Sequence, residues 1–498
     1  MREKITNIYE INTRVWLREL SNKYRKKITL GNIPEEEILF MRELGFDTLW
    51  LMGVWLSSKK SREAALSNQK LWDELNAALP QLELEEISCS PYAIAGYEVD
   101  SFLGNNREML ELKKRLNSHG IKLILDFVPN HVALDHPWVH AYPEYFIRAT
   151  RQELQNHPEL FFSADNKAVL AYGKDPYFPS WADVVQLNYY NPSTRKAIQE
   201  ELLRVASLCD GVRCDMAMLI LKRVQKQIWG ERVFGSGKFT EPESEFWQES
   251  IGYIKKSYPE FIFIAEVYWG LEYELMNLGF NYVYDKTFYD FLEYSDIEKL
   301  KGNLTEQNET AGKKLKFIEN HDENRAIAVF GREKSKAAAF LLAVSPGAHL
   351  FHQGQIEGFK NKLPIYLKES LGEKSDEGII EFYKNILVTS KNISLNMFAW
   401  ESTVIFPAWK ENETYKNCIA LFNKNQYGYY LAVANYSDSQ SQCYTRFDIT
   451  TIQAKELIFK DLLSQSEYVR GKEDIILKGL YLDMHKYGYH LFRILGEG

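Results

Sequence analysis

Short apolar runs alternate with amphipathic stretches from the N-terminus to about residue 390, and several runs stop at a cluster of polar side chains. NIYEINTRVW (7–16) predicts a first strand, FDTLWLMGVW (46–55) a second and IKLILDFVPN (121–130) a third. DGVRCDM (210–216), FIFIAEVY (261–268), NYVYDKTF (281–288), KLKFIEN (314–320) and GAHLFHQGQ (347–355) supply the remaining five. Between them, apolar residues recur at helical spacing in PEEEILFMRELG (34–45), NREMLELKKRLNSHG (106–120), NPSTRKAIQEELLRVAS (191–207) and ESEFWQESIGYIKKS (243–257). A further short helix is expected after Gly270. Pro34 opens the first of these helices, and Gly45 and Gly120 close two of them, as helix punctuation requires. Strand–helix alternation implies a parallel sheet, and eight such units imply a closed (β/α)8 TIM barrel of the α/β class.

Two interruptions and a change of texture complete the pattern. Residues 57–88 read as a helical insertion over the barrel mouth. Residues 132–190, after the third strand, form a longer insertion rich in Pro, His, Trp and Tyr. From about residue 395 the runs CIALFNKN, YGYYLAVANYS, QCYTRFDI, GLYLDMH and YGYHLFRIL alternate and are separated by turn residues, which predicts a C-terminal antiparallel all-β domain. The expected division is a catalytic barrel over 1–394, including the insertion at about 132–190, and a β-sandwich-like domain over 395–498.

Composition narrows the function classes. The net charge is −8 with both signs interspersed and no basic block, which argues against a nucleic-acid partner. No stretch approaches 18 continuous apolar residues and the N-terminus lacks an apolar leader core, so a soluble, cytoplasmic chain is expected. The five cysteines (Cys89, Cys209, Cys214, Cys418, Cys443) are odd in number and widely spaced, which fits neither a disulfide framework nor a zinc site. They suggest a reducing compartment.

The chemistry lies where the strand-like runs stop. Asp126, Asn130 and His131 end the third, Asp215 the fourth, Glu266 the fifth, and His321 and Asp322 the seventh. Barrel enzymes gather their chemistry at the C-terminal ends of the strands. Asp215 and Glu266 end neighbouring strands. That placement allows the ~5–5.5 Å separation at which one carboxyl group attacks an anomeric carbon while the other protonates the leaving oxygen. Arg213 lies two residues before Asp215, so strand periodicity puts both on one face and the guanidinium can hold the carboxylate ionised. Asp322 could stabilise positive charge developing on a sugar ring. His131 and His321, each beside an acid, could donate to hydroxyls of the same sugar. An ion-pair network would explain Arg213 beside Asp215 but not four strand ends of this kind. A metal site is the competing idea for the His/Asp pairs, but their spacing offers no compact ligand set. Asp126 reads equally as a buried strand-end support and as a sugar contact. Cys214 should point to the other face and pack inertly. Trp247 falls in a helix pattern and reads as core, while Trp138, Trp181 and Trp269 stay open between sugar platform and core.

Taken together, DFVPNH, GVRCD, the Glu of FIAEVYW and NHD resemble the four motifs of the α-amylase family of glycoside hydrolases, in order and over nearly the whole chain. The resemblance implies Asp215 as nucleophile, Glu266 as general acid/base and Asp322 as the third carboxylate. It further implies Arg213, His131 and His321 around the sugar at the cleavage point, with Asp126 and Asn130 in support. Tyr92, in SPYAIAGYEVD, takes the place of a tyrosine that stacks on that sugar, and Arg325 the place of an arginine after the third carboxylate, which counts it among the substrate-binding residues. Met218 and Leu219 stand where many endo-acting members carry a Lys-His pair. NHVALDHPWV, QLNYYNPSTRKAI and HDENR look more like the α-glucosidase side of the family. The resemblance implies no required cofactor and an optional calcium ion through Asn130.

The function implied is a retaining α-glycosidase acting on α-glucans or malto-oligosaccharides. The alternative is a transglycosidase or glucoside isomerase with the same site. A barrel that only binds carbohydrate or a partner is the rival from another class, and retention of all three acids tells against it. Linkage, endo or exo action and oligomeric state are not legible.

Overall fold

The computed structural model describes residues 6–80, 82–165, 168–395 and 398–497. Gln81, Asn166, Lys167, Asn396 and Met397, which fall within the expected insertions and C-terminal segment, lie outside the described residues, as do Met1–Ile5 and Gly498.

Eight strands close a barrel: β1 (Asn7–Asn12), β2 (Thr48–Met52), β3 (Lys122–Phe127), β4 (Gly211–Cys214), β5 (Ile262–Ala265), β6 (Tyr282–Tyr284), β7 (Lys314–Lys316) and β8 (Ala348–His352). Their order around the barrel is β1-β8-β7-β6-β5-β4-β3-β2. The expected TIM barrel is therefore present, with a strand at each of the eight predicted runs. β1, β2, β4, β5, β6 and β8 are buried at every position, which explains why they read as continuous apolar runs instead of alternating ones. Parallel register sets Arg213 of β4 beside Asp126 of β3 on one side and beside Ile264 of β5 on the other. β4 opens on Gly211 because a Cβ there would lie 2.5 Å from the Ile262 carbonyl oxygen.

The first expected strand is shorter than its apolar run. It ends at Asn12, whose side chain accepts from Val15 N at 3.5 Å and caps helix α1 (Thr13–Tyr24). A buried strand and a buried helix face look alike over a few apolar residues, so periodicity alone did not separate Thr13–Trp16 from the strand. The expected helices α2 (Glu35–Leu44), α3 (Asn106–Ser118), α4 (Pro192–Leu208) and α5 (Phe246–Ser257) all form. Asn105 caps α3 and Asn191 caps α4, each through its side-chain oxygen.

Two compact units divide the chain. One holds the described residues of Met1–Arg42, Phe46–Tyr284 and Lys362–Glu373; the other holds those of Glu43–Gly45, Asp285–Asn361 and Lys374–Gly498. In the first unit, the segment after β2 carries helices Lys59–Ser67 and Gln69–Ala78, packed on a small core of Ala65, Leu75, Leu79, Ile87 and Leu367. The segment after β3 folds as an antiparallel sheet built from His131–Ala133, Trp181–Gln186 and Ala168–Gly173, extended by Arg148–Ala149 and Phe161–Ala164. Its core includes Ile147, Phe161, Ala171, Tyr190 and Trp229.

The second unit contains the C-terminal all-β part. A six-stranded sheet includes Cys418–Asn425, Gly428–Asn435, Glu456–Asp461 and Tyr489–Glu497, and a three-stranded sheet joins Val404–Pro407, Ser441–Arg446 and Leu480–Met484. Leu431, Val433, Cys443, Leu457, Phe459 and Phe492 belong to the apolar core of these sheets. The expected antiparallel C-terminal sheets are thus present.

Candidate active site

In the first unit the site is built around one guanidinium. Arg213 donates from Nη1 to Asp215 Oδ1 at 2.8 Å, and its Nη2 lies 2.9 Å from Glu266 Oε2. The second approach is an ion-pair contact without hydrogen-bond alignment. Nε donates to the Tyr284 hydroxyl at 3.3 Å. Trp50, Tyr92 and Tyr284 place their rings 5.2, 5.3 and 5.5 Å from the guanidinium carbon. Arg213 is 1% exposed, so its charge is almost fully removed from water. That burial works against the cation, but Glu266, then Tyr284, Tyr92 and Asp215, outweigh it and hold the group well above its usual range.

Glu266 is gripped at both oxygens. Oε2 accepts from Met216 N at 2.7 Å, and Oε1 accepts from the Tyr268 hydroxyl at 3.0 Å. Met216, the residue after Asp215, adopts a left-handed backbone with φ of 41°. A non-glycine residue there costs about 1–2 kcal/mol, and the strain turns the Met216 N–H onto Glu266. Every group at Oε2 can only donate, so a proton on Glu266 belongs on Oε1. There the partner is a hydroxyl able to donate or accept.

Asp126 is fully buried. Its Oδ1 accepts from Trp50 Nε1 at 3.0 Å and its Oδ2 from Gly53 N at 2.7 Å, while its carbonyl accepts from Trp55 Nε1 at 2.7 Å. Gly53 has φ of 77° and a Cβ there would meet Pro91 at 2.9 Å, so glycine is required for this approach. Of the two readings of Asp126, the structure favours the strand-end support.

His131 is 5% exposed and stands edge-on to Trp181, ring centroids 5.3 Å apart. Burial lowers its pKa to about 4, so it is a neutral imidazole at physiological pH. Asn130 Oδ1 accepts from Gln186 Nε2 at 2.8 Å, which occupies the atom a calcium ion would take. Among the described residues no group of three or more His, Cys, Asp or Glu side chains could hold a metal ion. Gln186 thus competes for the oxygen through which the optional calcium ion was expected to bind.

In the second unit, His321 is buried and its Nε2 lies 3.1 Å from Asp322 Oδ2, whose side chain is 45% exposed. Asn320 Oδ1 accepts from the backbone N–H groups of Asp322 and Glu323 at 2.9 and 2.8 Å and fixes the turn that presents Asp322. Arg325, expected among the substrate-binding residues, is 5% exposed. Its Nη1 donates to Glu319 Oε1 at 2.8 Å and to the Gln353 carbonyl at 2.7 Å, and lies 2.9 Å from His352 Nδ1. Nε donates to the Asn361 carbonyl. Glu319 Oε2 accepts from Ala326 N at 2.7 Å. Burial alone would raise the Glu319 carboxyl, but Arg325, His352 and the Ala326 N–H hold it below the ordinary range. Arg325 is thus a buried brace.

Sequence reasoning missed Trp50, Tyr284, Met216, Tyr268, Glu319 and His352. Tyr284 and His352 stand at strand ends, a signal that was present. The left-handed turn at Met216 leaves no mark in residue type. Of the four tryptophans weighed, Trp247 is core and donates to the Ala217 carbonyl at 2.8 Å. Trp138 and Trp181 are half-buried, and Trp269 is exposed. Cys214 is fully buried, and burial pushes its thiol pKa well up.

Residues 35–420 match the family profile described as "Alpha amylase, catalytic domain". Alpha-amylase MalA of Haloarcula japonica is 26% identical over 275 residues, covering 53% of this chain and 36% of that protein. A probable oligo-1,6-glucosidase 2 of Bacillus subtilis is 25% identical over 369 residues, covering 65% of this chain and 60% of that protein. The chain thus spans from about a third to three-fifths of the length of these relatives. Among solved structures, the maltogenic alpha-amylase AmyB from Thermotoga neapolitana shares the fold with a TM-score of 0.66 at 18% identity, covering 99% of this chain and 100% of that one. A barrel of eight parallel strands and a profile match across most of its length lead to one conclusion: this chain belongs to the alpha-amylase family.

Proposed function

We propose that the protein is a retaining α-glycosidase that hydrolyses α-glucosidic bonds in α-glucans or malto-oligosaccharides. The observation that carries the reading is the contact of the single Arg213 guanidinium with both Asp215 and Glu266. It keeps two carboxyl groups side by side on neighbouring strands, the arrangement that suits a double-displacement reaction.

In the first step Glu266 delivers the proton on Oε1 to the glycosidic oxygen as the C–O bond breaks. Asp215 forms a bond to the anomeric carbon from the opposite face. In the second step a water loses its proton to Glu266 and attacks the anomeric carbon, and Asp215 leaves as a carboxylate. Two inversions return the α configuration. Asp322 is assigned as the third carboxylate, and its negative charge would oppose the positive charge on the ring in both transition states. His131 and His321 are assigned to sugar hydroxyls and Tyr92 to the face of the ring. As a neutral imidazole, His131 donates a hydrogen bond without adding positive charge against the cationic transition state. The five cysteines are free and buried, which suits the reducing, cytoplasmic setting that belongs to this reading.

Maltoheptaose tests it. Time-resolved chromatography should show shorter oligomers or glucose, and proton NMR should show the α-anomer formed first. Products longer than the substrate would move the assignment to glycosyl transfer. A β-anomer formed first would exclude the double displacement.

A further inference from the structure

A cavity of about 440 Å³ opens between the start of α4 and the loop that leads into α5. Its size falls within the range of small-molecule pockets, roughly 300–1,000 Å³. None of the carboxylates assigned to bond cleavage lines it. Tyr190, Phe239 and Phe246 supply ring surfaces to its wall, while Arg195, Lys196 and Lys238 supply positive charge. Among the described residues Glu249 is the one acidic member of the lining, and both its oxygens are engaged. Oε2 accepts from Arg195 Nη2 at 2.6 Å and Oε1 from the Ser244 hydroxyl. Three cations thus face one carboxylate, in a chain whose net charge is −8.

Arg195 stands here against local preference. It lies in the first turn of α4, which holds no acidic residue, and Lys196 follows it. Cations at a helix N-terminus oppose the helix dipole, and an anion is the favoured partner of that end. The backbone alone does not supply the donors, because Pro192 has no N–H and Asn191 Oδ1 takes the N–H of Ser193. Arg195 is 9% exposed, and its Nη2 is shared by Glu249 and the Ser244 carbonyl. Its Nη1 is buried with no hydrogen-bond partner among the described residues. Buried polar groups are normally satisfied, so a buried cation with two unused N–H donors points to a partner that arrives from outside the chain. Lys196 and Lys238 are exposed, and neither enters an ion pair among the described residues.

We propose that this cavity binds a phosphate monoester, its phosphate held by Arg195, Lys196 and Lys238 and its ring-bearing organic part packed against Tyr190 and Phe239. A guanidinium fork and two ammonium groups suit a group with three acceptor oxygens and close to two negative charges. A carboxylate would leave one cation unmatched. Inorganic phosphate would satisfy the cations but leave the ring surfaces uncovered, whereas an ester meets both. A sugar ring and a nucleobase each fit that wall, and the phosphate is the group they share. The site uses none of the residues assigned to bond cleavage, so it does not depend on the α-glycosidase reading.

Isothermal titration calorimetry of the full chain at fixed ionic strength tests it, with glucose 6-phosphate, adenosine 5′-monophosphate and inorganic phosphate as probes. At least one ester should bind saturably at a single site, about tenfold more tightly than inorganic phosphate. The tighter of the two esters identifies the organic part. Lys196→Ser and Lys238→Ser change exposed residues and should leave the fold intact, yet each should weaken that ester about tenfold. Arg195→Lys keeps a charge beside Glu249 but removes the fork, and should weaken binding at least as much. Asp215→Asn should leave the affinity at the parent value. No saturable heat from either ester overturns the proposal, as does an affinity unchanged in all three cation variants. Inorganic phosphate that binds as tightly as the esters would remove the role of the rings and overturn the ester assignment. Binding that is lost in Asp215→Asn or displaced by maltotriose would move the phosphate to the cleavage site and equally overturn it.

Discussion

Two buried arginine–carboxylate clusters stand at strand ends of this barrel, one in each compact unit, and they are balanced differently. Around Arg213, one cation is shared by two carboxyl groups, Asp215 and Glu266. Around Arg325, one cation meets one carboxylate, Glu319, and its other contacts are the His352 ring nitrogen and the Gln353 and Asn361 carbonyls. The second cluster is neutral and closed. The first has a carboxyl group in excess, so it can carry a proton or face a positive centre while the other stays paired. Its grip is also adjustable, because a hydroxyl holds Glu266 Oε1 while backbone and guanidinium hold Oε2. The residue types are the same in both places. The count of charges and the kind of donor separate a reactive site from a brace.

The largest expected effect sharpens that contrast. Asp215→Asn should lower activity on maltoheptaose by at least about a thousandfold with little change in unfolding free energy, since the nucleophile supplies a covalent step. Glu266→Gln should cost nearly as much on maltoheptaose but far less on α-glucosyl fluoride, whose leaving group needs no proton. Equal losses on the two substrates would remove the acid role. The brace should answer in the opposite currency: Arg325→Met leaves Glu319 charged and buried, and urea unfolding should show a loss of about 3–5 kcal/mol. A variant that keeps its stability would break the comparison. Tyr268→Phe should lower kcat on maltoheptaose several-fold more than on the fluoride, because the hydroxyl positions the Oε1 proton.

Titration adds an effect set by pH. His131, His136 and His349 have pKa values lowered by burial to about 4. Each is protonated in the unfolded chain below about 6.5 but not in the folded one. Their contribution is therefore present above pH 6.5 and is lost as pH falls toward 4, at ~1.4 kcal/mol per pH unit for each group. Asp47 works the other way, since burial raises its pKa to about 6 and the folded chain takes up its proton first. The balance predicts a Tm lower at pH 4.5 than at pH 7, and His349→Gln should flatten that slope. The smallest effect concerns metal. With Asn130 Oδ1 occupied by Gln186, EDTA should leave Tm and activity where they were. A lowered Tm restored by calcium would contradict that reading of Asn130.

Much of this could be read from residue order because the strand-end acids are local features. Asp215 and Arg213 are two residues apart, and strand periodicity alone brings them to one face. The barrel was legible for a similar reason, since strands buried on both faces leave uninterrupted apolar runs. Where local signals conflict the reading slipped: Asn12 could end a strand or cap a helix, and its bond to Val15 N settles the matter. Where the deciding partner is distant in sequence, the chain was silent. Arg325 looks like a site residue because Asp322 is near, yet His352 and the carbonyls of Gln353 and Asn361 decide its place. The strained backbones of Met216 and Trp269 are likewise set by the fold around them.

The central claim is that Asp215 becomes covalently bound to the sugar. The direct measurement is mass spectrometry of the Glu266→Gln chain after rapid mixing with α-glucosyl fluoride, whose first step needs no acid while the second lacks its base. A mass gain of one glycosyl unit that maps to the peptide carrying Asp215 is expected. Release of fluoride with no labelled protein at any time, or a label on another carboxylate, would contradict it.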